Sequence, residues 1–265
     1  MKTIEFAKLH GDENDFLLSW ADGIAEEDLP VVARRICART TGVGADGWML
    51  VCRAEGGLRT RLFNSDGSEP EISGNGTRCA AAFALRNHVV PPPDVTVTTV
   101  AGPKKLHLLT QAGQKFVFEM DMGLPAIEEL NATMQLGGNA FEATILNVGN
   151  PQCVIFAGSL PTNWRSLAEE AERHPRFPHR SNVSFVEVRD AHHIDAVFFE
   201  RGAGETRSSG TGSTGAAVAA ILRGYAESPV DIRTPAGSLR LRWEESVYLT
   251  GPAEFIAEGT FFLDY

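Results

Sequence analysis

Two short segments of this chain each combine a hydroxyl group with a glycine-rich turn. Ser73 opens Ser-Gly-Asn-Gly and Ser209 opens Ser-Gly-Thr-Gly, and each segment leads into an alanine-rich run that predicts a helix. Small residues let a ligand approach the backbone closely, and the free N–H groups at a helix start favour an anion such as a carboxylate. Each segment therefore places one hydroxyl beside a predicted anion site. The alternative interpretation is an ordinary N-cap serine, whose hydroxyl bonds only a backbone N–H.

The two segments belong to an internal repeat. Ser73 and Ser209 are 136 residues apart (209 minus 73), and the same offset aligns several further pairs. These pairs are Asn14 with Asn150, Asp46 with Asn182, Phe63 with Phe199, and Glu69 with Glu205. Such a doubling predicts two homologous lobes. Lobes that face each other across a cleft would give a bound α-amino acid one hydroxyl on each side of its Cα, which is what inversion by proton removal and return requires.

The elements that must position these segments are mostly strands. Alternating or β-branched runs predict strands at Val95–Val100, Lys115–Met120, Ser184–Val188 and Asp195–Phe199. Helices are predicted near residues 26–39, 76–87, 162–173 and 212–224. Because strands outnumber helices, an α+β fold is favoured over a doubly wound parallel sheet. The predicted lobes are residues 1–115, joined by a returning strand at about 254–265, and residues 116–253.

Composition excludes several classes of function. The net charge of −10 argues against a nucleic-acid partner and against an anionic membrane surface. The chain opens without an apolar leader and contains no apolar run long enough to span a bilayer. Its four cysteines and seven histidines show neither metal-ligand spacing nor the density of a disulfide scaffold. We therefore expect a cytoplasmic, metal-free enzyme.

A series of motifs resembles the diaminopimelate epimerase family across nearly the whole chain. The matching segments, in the order of that family, are KLHGDENDF, GVGADG, FNSDGSEPEISGNGTRCAA, VGNPQCVIF, NVSFVEV and ERGAGETRSSGTGSTGAAVAA. The resemblance implies two homologous lobes, each a mixed or antiparallel sheet wrapped around a central helix, with the active-site cleft between them. It implies an isomerase without pyridoxal phosphate, other cofactor or metal, which interconverts LL- and meso-diaminopimelate in lysine and peptidoglycan precursor biosynthesis. A small amino acid is the implied ligand, and a homodimer is compatible with it.

The resemblance also assigns roles to individual residues. Ser73 and Ser209 fall at the positions of the two catalytic acid–base groups. The remaining matched residues are implied substrate contacts: Asn14, Asn64, Gly74, Asn75, Asn150, Asn182, Glu200, Arg201, Gly210 and Thr211. Among these, the residues after each serine would hold the α-carboxylate, and Glu200 with Arg201 would hold the ammonium and carboxylate groups. The alternative interpretations are asparagines that satisfy turns and a surface ion pair.

Three departures from the family concern the chemistry itself. The family carries cysteines at the positions of Ser73 and Ser209, and a histidine at the position of Gln152. The pKa of a thiol is about 8.5, and that of an alcohol is several units higher. Removing the proton to form the catalytic base therefore costs about 4–7 kcal/mol more for serine than for cysteine. That is a loss of roughly a thousandfold to a hundred-thousandfold in rate unless the site compensates.

Four explanations of these departures stay open. In the first, the serines work in a pocket that strongly stabilises an anion. In the second, the enzyme is a related isomerase or dehydratase whose substrate is another small carboxylate with a more acidic C–H group. Alternatively, the protein binds an amino acid without turning it over, or the serines are introduced changes.

A different class of enzyme is suggested by one fingerprint. Gly210 to Gly215 satisfies the dinucleotide pattern G-x-G-x-x-G, and Asp231 follows at a compatible distance. About ten loop-like residues separate this pattern from the preceding predicted strand, and the first repeat copy lacks the third glycine, so a nicotinamide-dependent oxidoreductase is disfavoured.

Overall fold

The computed structural model describes residues 3–24 and 28–263, which form two compact units. The first unit is Met1–Met120 together with Gly251–Tyr265, and the second is Asp121–Thr250. The sequence places these borders after residues 115 and 253, five residues earlier and three residues later than the structure does.

The first unit is a mixed sheet wrapped around one helix. Its strands are β1 (Thr3–Gly11), β2 (Asn14–Trp20), β3 (Gly47–Ala54), β4 (Gly57–Asn64), β5 (Asp94–Thr99), β6 (Gly102–Ala112), most of β7 (Lys115–Gly123) and, from residue 251 on, β16 (Val247–Phe262). They are neighbours in the order β1 to β7, and β16 bonds both β7 and β1, so the sheet closes on itself. The β2–β3 and β4–β5 pairs are parallel, and the other pairs with a printed register are antiparallel.

Helix α2 (Gly74–Arg86) occupies the inside of this sheet, where it contacts β1, β2, β4, β5 and β6. All its residues from 74 to 85 are buried. Alanines supply much of the helix surface, and their small side chains let surrounding strands approach it closely. Helix α1 (Leu29–Ile36) packs on the other side of the sheet, against Trp48, Leu50 and Phe63.

The second unit repeats this plan. Its strands are β8 (Ala126–Leu136), β9 (Asn139–Asn147), β10 (Pro151–Phe156), β11 (Asn182–Asp190), β12 (His193–Glu200), β13 (Gly204–Thr206), β14 (Val230–Thr234), β15 (Gly237–Trp243) and the first residues of β16. The central helix α4 (Gly210–Leu222) contacts six of them and is buried from residue 210 to 220. Helix α3 (Trp164–Glu172) packs on the other face, in a core that includes Cys153 and Phe185.

The predicted elements are all present, but the central helices begin earlier than predicted. Helices α2 and α4 start at residues 74 and 210, so the glycine-rich segments form the first helical turn rather than a loop. The physical reason is the serine N-cap, which bonds an N–H of that turn. Helix α1 is shorter than predicted, and residues 26 and 27 of that prediction lie outside the described residues, as do 264 and 265 of the returning strand.

Two further findings concern the chain as a whole. None of the helices in the described ranges is long and apolar enough to cross a membrane. The dinucleotide pattern at 210–215 lies entirely within helix α4, whereas such a fingerprint must open the turn between a strand and a helix. The structure therefore gives no support to the oxidoreductase interpretation.

A buried polar pair tests the packing of the first unit. Ser19 Oγ accepts a hydrogen bond of 3.1 Å from Trp48 Nε1, and both residues are at most 1% exposed. We expect Ser19→Ala to lower the free energy of unfolding by about 1–3 kcal/mol, because the indole N–H is left buried without an acceptor. Denaturant unfolding measures this. The exposed Ser159→Ala control should change stability by less than about 0.5 kcal/mol, and equal effects of the two substitutions would contradict the prediction.

Candidate active site

Ser73 caps the central helix of the first unit. Its backbone is extended (φ −122°, ψ 122°), and its Oγ accepts a hydrogen bond of 3.1 Å from the Gly76 N–H. The Ser73 carbonyl accepts from Thr77, both from its N–H and from its hydroxyl. The N–H groups of Gly74 and Asn75 come before these, and N–H groups in a first turn have no acceptor within their own helix. First-turn N–H groups are the kind of donor that binds an anion at a helix start.

Ser209 caps the central helix of the second unit in the same way, with one addition. Its backbone is also extended (φ −139°, ψ 122°), and its Oγ accepts 3.0 Å from the Gly212 N–H. The Ser209 hydroxyl also donates to Glu200 Oε1 at 2.6 Å. Ser209 is 2% exposed. A hydroxyl bonded to a carboxylate oxygen has an acceptor for its proton, which is how weakly acidic nucleophiles and bases are activated in enzymes.

The cap interpretation and the catalytic interpretation of the serines therefore coexist. Both serines are N-caps, and in each case the cap bond uses a lone pair of Oγ rather than its proton. The proton of Ser209 is committed to Glu200. Capping thus leaves each hydroxyl able to give a proton, and it holds the oxygen at the start of a buried helix.

Predicted substrate contacts in the two units hold matching places. Asn75 Nδ2 donates to Asn14 Oδ1 at 3.1 Å in the first unit. Asn150 Nδ2 donates to Thr211 Oγ1 at 3.3 Å in the second. The repeat offset of 136 aligns Asn14 with Asn150, and Asn75 with Thr211. Each bond joins the second residue of a central helix to an asparagine at the end of a loop between two strands. Four of the predicted residues therefore form two equivalent pairs.

The other two predicted asparagines hydrogen-bond to residues outside the central helices. Asn64 Nδ2 donates to Ser68 Oγ at 3.0 Å. Asn182 Nδ2 donates to the Pro151 carbonyl at 2.9 Å, and its Oδ1 accepts from the Arg201 N–H at 3.0 Å. The Asn182 amide thereby links the segment after Asn150 to the segment after Glu200. Its predicted role as a substrate contact stays a prediction, in addition to this bracing role.

Glu200 and Arg201 differ in their surroundings. One carboxylate oxygen of Glu200 accepts from Ser209, whereas Arg201 Nη1 donates to the His179 carbonyl at 3.4 Å and the residue is partly exposed. Gln152, at the position of the family's histidine, donates from Nε2 to Asn150 Oδ1 at 2.6 Å and is fully buried.

The thiols do not replace the missing catalytic cysteines. Cys37, Cys79 and Cys153 are at most 2% exposed. Burial raises the pKa of each of these thiols to about 12, so they are neutral at physiological pH. Cys79 lies inside the core beside Ala80, as its place in the alanine-rich run predicts. Cys52, on β3, is exposed.

Comparison with known proteins decides the family. The family model described as "Diaminopimelate epimerase" matches residues 6–127 and 144–256. The chain is 37% identical over 281 residues to the diaminopimelate epimerase of Moorella thermoacetica, covering 98% of this chain and 100% of that protein. It is 38% identical to that of Desulforudis audaxviator, covering 97% of this chain and 98% of that protein. The chain belongs to the diaminopimelate epimerase family.

Solved structures confirm the fold class. A hydroxyproline epimerase from Agrobacterium vitis superposes with a TM-score of 0.77 at 15% identity, over 99% of this chain and 93% of that one. A Bacillus anthracis protein of the phenazine biosynthesis PhzF family gives 0.76 at 15% identity, over 99% of this chain and 100% of that one. At such identities the likeness establishes the α+β fold alone. The resemblance inferred from the motif series is confirmed by the family match.

Sequence reasoning missed three residues that the structure joins to the predicted ones. Asp46 accepts a bond of 2.8 Å from Asn14 Nδ2, and Arg78 donates 2.6 Å to Asn75 Oδ1. Asp12 lies next to Arg78, with 3.8 Å between its Oδ2 and the Arg78 Nη2. Two features of the sequence could have indicated these residues. Asp12 lies two residues before Asn14, and Arg78 lies inside an alanine-rich helix, where a charged side chain is unusual unless it is paired.

The glycines of the first helical turn are required by packing. A Cβ added to Gly212 would lie 2.6 Å from the Phe198 ring and 3.0 Å from Ser209 Cβ. Phe198 is 1% exposed and cannot move aside freely. Glycine at this position therefore lets the serine and the ring pack against the helix start.

We expect Gly212→Ala to destabilise the protein by about 1–3 kcal/mol through overpacking, although alanine is the better helix former. Thermal or denaturant unfolding would measure the change. Gly158→Ala is the matched control, because nothing lies within 4 Å of an added Cβ there. A Gly212→Ala protein as stable as the control would show that the Phe198 ring yields.

Proposed function

We propose that this chain is a cofactor-independent epimerase that interconverts LL- and meso-diaminopimelate by proton transfer at Cα. The observation that carries the proposal is the 2.6 Å hydrogen bond from Ser209 to Glu200 at the start of α4. Membership of the diaminopimelate epimerase family supports the substrate. The four unpaired cysteines suit a reducing compartment, so a cytoplasmic site of action is part of the proposal.

Substrate binding would use the two capped helix starts. A carboxylate placed against the first-turn N–H groups of α2 or α4 receives hydrogen bonds and the positive end of the helix dipole. The same donors stabilise the negative charge that develops on the carboxylate when Cα loses its proton. Asn14, Asn64, Asn150, Asn182 and Arg201 complete the proposed substrate contacts, as the family match suggests.

Proton removal would run through the serine to the carboxylate. The Cα proton passes to Ser209 Oγ while the Ser209 hydroxyl proton passes to Glu200 Oε1. The electron pair of the broken C–H bond stays on the substrate and spreads into its carboxylate, and Glu200 becomes neutral. Since the hydroxyl gains one proton as it loses another, no free alkoxide forms, and the energetic difference between serine and cysteine is reduced.

The second face of Cα needs a second acid–base group, for which the repeat supplies Ser73. Its hydroxyl gives a proton to the carbanion while it takes one from a water molecule, and the proton that Glu200 releases converts the resulting hydroxide back to water. The residue that aligns with Glu200 in the first unit is Asn64, whose side chain donates to Ser68. An amide cannot accept a proton at neutral pH, so we expect Ser209 to be the stronger base of the two.

This asymmetry favours one competing candidate, a non-catalytic amino-acid-binding protein. A site with one activated hydroxyl would retain the carboxylate-binding helix starts while failing to complete the inversion. The two candidates differ in the fate of the Cα proton. Both would bind diaminopimelate, whereas only the enzyme would exchange that proton with solvent.

The first experiment follows the Cα proton by NMR in heavy water with LL- and with meso-diaminopimelate. We expect deuterium to enter one isomer faster than the isomers interconvert, because Ser209 can return a solvent deuteron to the face from which it took the proton. Glu200→Gln should lower this exchange by about 10²–10⁴. Glu205→Gln is the control from the same motif, since that carboxylate is exposed and pairs with Arg165. Binding without exchange in the parent protein would favour the non-catalytic candidate.

The second experiment restores the thiols. We expect the Ser73→Cys, Ser209→Cys double variant to interconvert the isomers faster than the parent because a thiol has the lower pKa, but by less than the roughly 10³–10⁵ of an uncompensated site, because Glu200 already accepts the Ser209 proton. Ser159→Cys controls for an added exposed thiol and should leave the rate unchanged. A double variant no faster than the parent would argue against these positions as the acid–base pair.

A further inference from the structure

A chain of buried hydrogen bonds lies beneath the first turn of α2. Arg78 Nη2 donates to Asn75 Oδ1 at 2.6 Å, and Asn75 Nδ2 donates to Asn14 Oδ1 at 3.1 Å. Asn14 Nδ2 in turn donates to Asp46 Oδ2 at 2.8 Å. Arg78 Nε donates to the Pro252 carbonyl at 3.0 Å. Both ends of the Asn75 carboxamide are thereby fixed, and with them the turn that carries the anion-binding N–H groups.

Arg78 and Asp12 form a buried charge pair at the end of this chain. Arg78 is 0% exposed and the Asp12 side chain 8% exposed, with 3.8 Å between Nη2 and Oδ2. Among the residues that the structure describes, Asp12 Oδ2 and Arg78 Nη1 have no hydrogen-bond partner. Two charges taken out of water without full hydrogen bonding cost stability. The pair is therefore an expensive arrangement that packing alone does not explain.

Asp12 lies in the two-residue turn between β1 and β2, where Gly11 pairs with Asn14. Asp12 and Glu13 both have left-handed φ values, 50° and 62°, as the central residues of such a hairpin turn require. The turn is pressed closely against the site, since a Cβ on Gly11 would lie 3.2 Å from Arg78 Nη2 and 3.2 Å from Asn75 Cβ. The hairpin turn therefore fixes the position of Asp12 beside Arg78 and Asn75.

We propose that Asp12 is a positioning residue for the carboxylate-binding turn of the first unit. As the counter-charge of Arg78, it holds the guanidinium against the Asn75 side chain, and that side chain then fixes the first turn of α2, where the substrate carboxylate would bind. This inference rests on the proposed function, because it concerns the same carboxylate site.

The ionisation of Asp12 separates this role from a purely structural one. Burial raises the pKa of the Asp12 carboxyl above 3.8, and this outweighs the opposing attraction of Arg78, His10 and Lys115, while Glu13 adds repulsion. A group with a raised pKa in the folded state contributes stability below its unfolded pKa and loses that contribution as the pH rises through the folded value. At neutral pH the ionised carboxylate is therefore a net cost to folding.

The test is Asp12→Asn, which keeps the shape and tolerates the left-handed backbone. We expect its free energy of unfolding at pH 7 to equal or exceed that of the parent. We expect its Kd for diaminopimelate, measured by calorimetry, to be weaker by about tenfold or more, as when a charge-assisted hydrogen bond is lost. Asp94→Asn is the control, because that carboxylate is exposed and pairs with His107, and it should change neither quantity.

The direction of the change in Kd decides between mechanisms. A long-range charge effect would make Asp12→Asn bind a carboxylate substrate more tightly, since a negative charge is removed. Unchanged or tighter binding would overturn the proposal. Weaker binding accompanied by a matching loss of stability would also overturn it, because the role would then be structural.

A second measurement does not depend on turnover. In the parent protein, the side-chain amide resonances of Asn75 should shift as the pH passes through an acid transition above 3.8, and this shift should be missing in Asp12→Asn. If the parent fails to bind diaminopimelate, the proposed function fails, while the Asn75 resonances still decide this inference. Resonances that do not respond to pH would overturn it.

Discussion

In each unit, the start of the central helix depends on a hydrogen bond between a serine oxygen and the third N–H of that buried helix. Each central helix is enclosed by strands, so its first-turn N–H groups cannot rely on bulk water. Ser73 and Ser209 each accept a hydrogen bond from one of these N–H groups, that of Gly76 and that of Gly212. A hydroxyl oxygen is a good N-cap acceptor, whereas a thiol sulfur is a weak one. At these two positions serine therefore stabilises the helix start better than cysteine would, but its hydroxyl is a weaker acid than a thiol.

Much of the fold follows from patterns that can be read in the sequence. The repeat offset, the four helices and the α+β class depend on local periodicity and on matched motifs, and these are present in the structure. Helices α2 and α4 begin at Gly74 and Gly210, two residues before their predicted starts. The prediction is late because glycine normally indicates a loop, whereas here the preceding N-cap serine stabilises a helix. The borders of the units depend on contacts distant in sequence, which no local pattern contains.

The sequence indicates which residues are candidates for the site, but not which of them hydrogen-bond to one another. The repeat and the family resemblance predict roles for Ser209, Asn150 and Thr211, whereas the bond from Ser209 to Glu200 depends on how β12 approaches the start of α4. Arg78 and Asp12 escaped notice because a single sequence does not show which charges are buried. The sequence alone also does not show the difference between the two units. Glu200 accepts a hydrogen bond from Ser209, whereas Asn64 at the equivalent position donates to Ser68.

The distribution of thiols makes the native chain suited to site-selective labelling. Cys52 is exposed on β3, while the other three cysteines are buried and their thiols have pKa values near 12. A maleimide reagent reacts with accessible thiolate, so modification should be confined to this one position under mild conditions. A fluorophore attached there would report on the first unit without any engineered cysteine. Both serine positions would remain untouched, which a family member with thiols at those places could not offer.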